Sequence, residues 1–374
     1  MRCLSPSQLD RALRLRDLSD PAGGTHAMQL LLDEVVAALA TAWARPVLVH
    51  RGPRVVLVAD NYDRLYYPPD AVSRDSRYSR YVDAHRMLRA HTTAHVPGLI
   101  ERMAAERSPE LAVACPGICY RRDRIDRLHV GEPHQLDLWR VRAGGPALGE
   151  PDLLAMIGLV AGAALPGRRW RTVPSPHSYT HEGRQVDVCD GRGEARAWVE
   201  VGECGLAHRD VLAAVGLPPG ASGLAMGVGL DRLLMLRKEM DDIRLLRSAD
   251  QRVAGQLLDL KPYQPVSALP AVRRDLSIAV GAGVDDELLG DRVREALGER
   301  ASAVESVELL SRTPYGELPV SARRRIGMLP GQCNVLVRIV LRPLDRTLTS
   351  AEANELRDRV YAALHEGSAH QWAS

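Results

Sequence analysis

The stretch from 111 to 139 constrains the fold more than any other part of this sequence. Two β-rich runs, LAVACPGICY and HQLDLW, enclose the charged segment RRDRIDRLHVGEP. Runs of this kind joined by a polar loop fold back as an antiparallel pair, and such a pair needs further strands and a helical layer to bury one face. Gln135 and Asp137 stand two residues apart, so they share a face of their strand. Arg121 and His129 flank the loop and can be aimed together at a polyphosphate. Standing alone, the loop would read as a solvated hairpin.

The remaining pattern supplies the rest of the sheet. Leu30, Leu31, Val35, Ala38 and Leu39 recur at helical spacing after Gly23 and Gly24, which predicts a helix over 26–43. A hairpin is expected from the runs 47–50 and 55–60 around Arg51, Gly52 and Pro53. A helix over 152–165 and strands over 184–188 and 197–201 follow. Then comes a glycine-rich strand running into a helix over 223–238. The sum is a mostly antiparallel sheet flanked by helices, an α+β plan. Pro262, Pro265 and Pro270 mark a boundary, giving a first domain over 1–260, a linker over 261–270 and a second domain over 271–374. The second domain reads strand (274–280), helix (285–297), strand (302–310), strand (333–341), helix (350–365). That βαββα order is the one of a ferredoxin-like fold.

Composition excludes several classes. A 374-residue chain with 45% hydrophobic and 26% charged residues suits two packed domains. The first twenty residues carry Arg2, Arg11, Arg14 and Arg16 without a continuous apolar stretch, and the apolar run 153–165 ends at Pro166, too short for a bilayer. A cytoplasmic protein without membrane partners is expected. The six cysteines (3, 115, 119, 189, 204 and 333) show no CxxC spacing, which favours reduced thiols. A net charge of +2 is no nucleic-acid footprint. The chain has no phenylalanine but ten tyrosines. The Arg-rich, Lys-poor composition of a GC-rich genome depresses Phe, but it should depress Tyr alongside.

Two further segments offer chemistry. In GLAMGVGLDRLLML, Gly227 and Gly229 allow backbone to approach a ligand, and Arg232 falls on the first turn of a helix; close strand packing is the plainer reading. In RAHTTAH, polar side chains alternate from His91, and His91 with His95 lacks a third residue spaced to complete a metal site.

In this order, RMLRAHTTAH (86–95), YRRDRIDRLH with HQLD (120–137), WVEVGECG (198–205), GLAMGVGLDRLLML with DDIR (223–244) and YQPVSALPAVRRDLS (263–277) resemble phenylalanyl-tRNA synthetase, most closely its single-chain organellar type. The resemblance covers nearly the whole chain. It implies a class II synthetase catalytic domain with an antiparallel sheet, a C-terminal ferredoxin-like anticodon-binding domain, and partners in tRNA and an amino acid. His26 sits at the first motif, with Ala27 where the family has proline. That motif carries the class II dimer contact, whereas the single-chain type is monomeric, so a monomer or a homodimer is expected.

The resemblance also implies roles. Arg121 matches the arginine that grips the α-phosphate of ATP and the amino-acid carboxylate, where two anions are brought together and fixed cations must offset their repulsion. His129 would add a phosphate contact, Glu200 would hold Mg²⁺, and Arg232 would lie over the adenine. Asp123, Pro133 and Gly229 complete the ATP set. His91, Thr93, Gln135 and Asp137 match the residues around the substrate ammonium, and Val173, Ser175, Ala225 and Gly227 those around its ring. The chain departs from the family at Pro133, where an adenine-stacking aromatic is usual, at Leu128 for Thr and at Asp137 for Glu. It departs again at Val173 and Ser175, where two phenylalanines are usual. Losing those rings opens volume for phenylalanine bearing a substituent. The expected activity is ligation of phenylalanine or a modified phenylalanine to tRNA. The competing expectation is a non-catalytic paralogue that binds an amino acid or tRNA as a sensor.

Overall fold

The computed structural model describes residues 3–191, 197–266 and 269–370, so that 267–268 of the expected linker lie outside it. The chain divides into two compact units. One comprises Met1–Arg121, Glu132–Met240 and Gly255–Tyr263, and the other Arg122–Gly131, Asp241–Ala254 and Gln264–Ser374.

The first unit is built on β1 (Leu48–Val49), β4 (Glu110–Ile118), β5 (His134–Arg142), β6 (Trp170–Pro174), β7 (Thr180–Cys189), β8 (Trp198–Ala207) and β9 (Ser222–Gly229), in the order β1-β4-β5-β9-β8-β7-β6. β1 runs parallel to β4 and every other pairing is antiparallel. β2 (Val55–Leu57) and β3 (Arg86–Leu88) form a separate two-stranded ribbon. The hairpin expected over 47–60 is therefore absent: its two arms pair with different strands. Residues Val58–Asn61 turn into a helix, leaving β2 too short to return along β1. Gly52 lies so close to His95 that a Cβ there would fall 2.4 Å from the imidazole.

Helices Ala27–Trp43, Glu150–Ala164 and Leu230–Lys238 pack on one another beside this sheet. The first buries Met28, Leu31, Leu32, Val35 and Leu39, spaced along one face. His26 starts it, its Nδ1 accepting the Met28 N–H at 3.1 Å. The second begins with Pro151 in its first turn, and the Asp152 carboxylate accepts the Gly149 N–H at 2.9 Å.

In the second unit β10 (Val272–Gly281), β11 (Val304–Pro314) and β12 (Gln332–Leu341) form an antiparallel sheet of order β10-β12-β11, with helices Asp286–Leu297 and Ser350–Leu364. The third strand lies between the first two, a split βαβ arrangement. A short helix, Val320–Arg325, interrupts the connection before β12. Ile278, Val293, Val335, Val337, Ile339, Leu356 and Val360 form its core. The tip of the charged loop is part of this unit because Ile125 is buried in that core. The Ile125 carbonyl accepts the Val307 N–H at 3.0 Å, and Arg294 donates to the carbonyls of Asp123 and Arg124.

Candidate active site

Strand register sets the site. Asp137 on β5 lies opposite Cys115 on β4 and Gly227 on β9, and Gly227 in turn lies opposite Glu203 on β8. The row continues through Gln185 on β7 to Val173 on β6. Two residues along each strand, on the same face, come Trp139, Ala225 and Gly205 on one side and Gly117, Gln135 and Gly229 on the other. One face of the sheet thus carries two carboxylates separated by a glycine.

Asp137 is fully buried. Thr93 Oγ1 donates to its Oδ1 at 2.8 Å and Thr92 Oγ1 to its Oδ2 at 3.0 Å. Burial nevertheless outweighs these donors and raises its pKa to about 6. His91 lies beside the Tyr67 ring at 5.7 Å between centroids, and burial followed by the charge of Arg121 pushes it down to about 3, so its imidazole is neutral. Its Nδ1 is buried without a hydrogen-bond partner among the described residues. Tyr67 in turn approaches Tyr179 at 6.3 Å, and Tyr179 stacks on Trp139 at 6.0 Å, forming an aromatic wall.

Gln135 is held by its neighbours. Cys119 Sγ donates to its Oε1 at 3.6 Å, and burial pushes that thiol up to about 12, keeping it protonated. A Cβ on Gly227 would come within 2.9 Å of Gln135 Nε2, so the glycine clears space for that amide. His134 is structural: its Nε2 accepts the Leu18 N–H at 2.9 Å and its Nδ1 pairs with Asp231 at 3.2 Å. That contact ties the start of β5 to the helix bearing Arg232.

At the other carboxylate, Glu203 Oε2 pairs with His177 Nε2 at 2.8 Å, and Ser175 Oγ donates to Oε1 at 3.4 Å. Burial raises the Glu203 pKa, but the His177 and Ser175 hydrogen bonds and the charges of His177 and Arg121 override it, and the net shift is downward. Glu200 reaches the same face only because Val201 is bulged out: Val186 pairs with Gly202 while Asp187 pairs with Glu200. Arg232 Nη1 donates to the Glu200 carbonyl at 3.0 Å and lies 3.9 Å from its carboxylate.

Arg121 is exposed, and among the described residues no carboxylate pairs with its guanidinium. Its charge nonetheless acts on Tyr62, Tyr67, His91, Cys119 and Glu203, so it lies within electrostatic reach of this face of the sheet. An exposed arginine that pairs with no carboxylate is suited to an anionic ligand.

Of the residues singled out in the sequence, His91, Thr93, Arg121, Gln135, Asp137, Ser175, Ala225 and Gly227 come together here. Val173 lies on the row's edge strand, 40% exposed. Gly229 and Arg232 open the helix Leu230–Lys238, next to Glu200. The Pro133 carbonyl accepts the Cys119 N–H at 2.7 Å. Asp123 and His129 belong to the second unit, where Asp123 accepts the Arg124 N–H and His129 Nδ1 pairs with Asp126 at 2.7 Å. Tyr67, Thr92, His177, Tyr179 and Glu203 were not foreseen. The bulge hides Glu203, since in a regular strand residues 200 and 203 point to opposite faces.

A mostly antiparallel sheet backed by helices, with arginines and carboxylates on its open face, is the core of a class II tRNA synthetase. Residues 13–257 match the family of tRNA synthetases class II core domain (F), and the chain belongs to that family. It is 28% identical over 366 residues to the probable phenylalanine--tRNA ligase, mitochondrial, of Drosophila melanogaster, covering 83% of this chain and 75% of that one. The phenylalanine--tRNA ligase alpha subunit of Nostoc punctiforme is 31% identical over 238 residues, 63% of this chain and 68% of its own. A pyrrolysyl tRNA synthetase structure from Desulfitobacterium hafniense superposes with a TM-score of 0.46 at 18% identity, over 64% of this chain and 78% of that one. Among the described residues no helix is long and apolar enough to cross a membrane, and no three His, Cys, Asp or Glu side chains form a metal cluster.

Proposed function

We propose that this chain activates phenylalanine or a modified phenylalanine with ATP, as its adenylate, and transfers it to tRNA. The observation that carries the reading is the pair Asp137 and Glu203 on one sheet face, with Arg121, which pairs with no carboxylate among the described residues, acting by its charge on His91 and Glu203. Asp137, with His91, Thr93 and Gln135, receives the ammonium and fixes the substrate carboxylate near Arg121. Arg121 then offsets the repulsion between that carboxylate and the α-phosphate and stabilises the pentavalent transition state. Arg232 lies over the adenine, with Gly229 and Pro133 bordering the nucleotide. Mg²⁺ is held by one or two carboxylates together with phosphate oxygens and water, so the half-exposed Glu200 suits it without a protein cluster. The ion supplies charge neutralisation at the leaving pyrophosphate.

The first domain (1–260) is read as the catalytic one and residues 271–374, after the linker, as a ferredoxin-like anticodon-binding domain. Their split βαβ topology supports that reading. The protein is read as cytoplasmic and as a monomer or homodimer. Amino-acid-dependent ATP–pyrophosphate exchange, followed by aminoacylation of total tRNA, tests the proposal. Exchange with at least one aromatic amino acid is expected. Binding of ATP or amino acid without any exchange would instead favour the non-catalytic sensor, whose warrant is Pro133 in place of an aromatic ring.

A further inference from the structure

Resting on that reading, we infer that the side chain of the substrate carries a hydrogen-bond donor, a ring hydroxyl or ring amine, received by Glu203 with Ser175 and His177. Asp137 and Glu203 flank Gly227 on neighbouring strands of one row. Two strand spacings separate their backbones by about 10 Å, so an aromatic amino acid laid across Gly227 runs from the one carboxylate towards the other. Gly227, with no side chain, and Ala225 form the floor between them, and Tyr67, Tyr179 and Trp139 supply an aromatic wall. A substrate anchored by its ammonium at Asp137 and lying across that floor ends at Glu203.

Glu203 is not arranged to meet a bare benzyl ring. Its Oε2 is occupied by His177 at 2.8 Å, but the hydrogen bond to its Oε1, from Ser175, is long at 3.4 Å. Its side chain retains 42% exposure, which leaves this carboxylate open to water. A hydrocarbon ring would strip that water from a carboxylate and return nothing. An ionised carboxylate only accepts, so the group that replaces the water must donate; methyl and halogen substituents do not. Ser175 Oγ, 3.5 Å from His177 Nε2, supplies a hydroxyl next to the incoming group, while His177 holds Glu203 in place. A site built to hydrogen-bond a substrate group rejects the analogue lacking it far more strongly than an apolar pocket rejects an added group.

The test is ATP–pyrophosphate exchange by the full chain with phenylalanine, 3-hydroxy- and 4-hydroxyphenylalanine, and 3-amino- and 4-aminophenylalanine. Glu203→Gln and Glu203→Ala are assayed beside the wild type, and thermal unfolding confirms that each is folded. The wild type is expected to favour at least one hydroxy or amino compound over phenylalanine by about 10²-fold in kcat/KM. Glu203→Ala is expected to collapse that ratio by a similar factor, mainly by raising kcat/KM for phenylalanine. Glu203→Gln, which keeps an acceptor of the same shape, should retain part of it for the hydroxy compounds. Phenylalanine as the preferred substrate of the wild type would overturn the inference while leaving the activation reading intact, as would a ratio unchanged in both variants. No exchange with any of the five compounds in any of the three proteins would overturn the activation reading, and the inference with it.

Discussion

Asp137 and Glu203 lie opposite the same glycine on the same face of one sheet, yet their surroundings differ in everything that sets a carboxylate's chemistry. Asp137 is sealed from solvent, with a threonine hydroxyl on each oxygen and a pKa lifted by burial to about 6. Glu203 is partly solvated, held by an imidazole and one long hydroxyl contact, and shifted downward. A rigid, dehydrated carboxylate gains most from a cation that arrives in one fixed place, as the ammonium common to all amino acids does. A solvated one is suited to reading what varies between substrates. The two ends of the row thus divide general anchoring from selection.

The strongest way to break this division is Asp137→Asn. Removing one partner of a buried charged pair costs ~3–5 kcal/mol, so kcat/KM in pyrophosphate exchange should fall about 10²- to 10⁴-fold for every amino acid alike. A loss confined to one amino acid would erase the contrast with Glu203.

The pH dependence of stability gives the next largest effect. Because the folded-state pKa of Asp137 is raised from 3.8 to about 6, the folded protein binds more protons than the unfolded chain between those values. Stability from this group is therefore present below the unfolded value and is lost as pH rises through about 6, by on the order of 2–3 kcal/mol. His91 acts in the opposite sense: with its pKa lowered to about 3, stability is lost as pH falls below 6.5. Urea titrations of wild type and Asp137→Asn from pH 4 to 7 separate the two, since the His91 contribution cancels in the difference and only that of Asp137 remains.

Gly227→Ala sharpens the comparison from its midpoint. The new methyl would fall 2.9 Å from Gln135 Nε2 but 3.7 Å from the Asp137 oxygens, so Gln135 must move while Asp137 stays. Amino-acid KM should rise by about tenfold, ~1.4 kcal/mol of binding, with the unfolding temperature nearly unchanged because only the end of a flexible side chain has to move. The smallest effect is expected at Thr93→Val, which removes one donor from Asp137. It should cost ~1 kcal/mol of affinity and move the apparent pKa of amino-acid binding upward, as calorimetry at several pH values would show.

Much of this architecture was legible in the sequence because local pattern and tertiary demand agree. The strand–loop–strand over 111–139 appears as β4 and β5, and the glycine-rich segment over 223–238 as β9 and its helix. The βαββα order of the last hundred residues is also present, with an added short helix at Val320–Arg325. The misplaced hairpin at 47–60 shows the limit: two short β-rich runs carry no information on their partners, and a parallel edge contact with β4 took one of them. The site was legible wherever a motif holds its residues close in sequence, as at Arg121, Gln135 and Asp137. It was not legible at Tyr67 and Tyr179, which distant segments bring together. Nor was it at Glu203, whose face depends on the bulge at Val201.

The most direct test of the account is ATP–pyrophosphate exchange by Arg121→Ala alongside the wild type, with amino-acid binding measured on both by calorimetry. Arg121 acts on charge that develops in the transition state, so exchange should fall about 10²- to 10³-fold while the amino acid still binds through Asp137. Exchange at the wild-type rate in Arg121→Ala would contradict the assignment of this pocket as the centre of amino-acid activation.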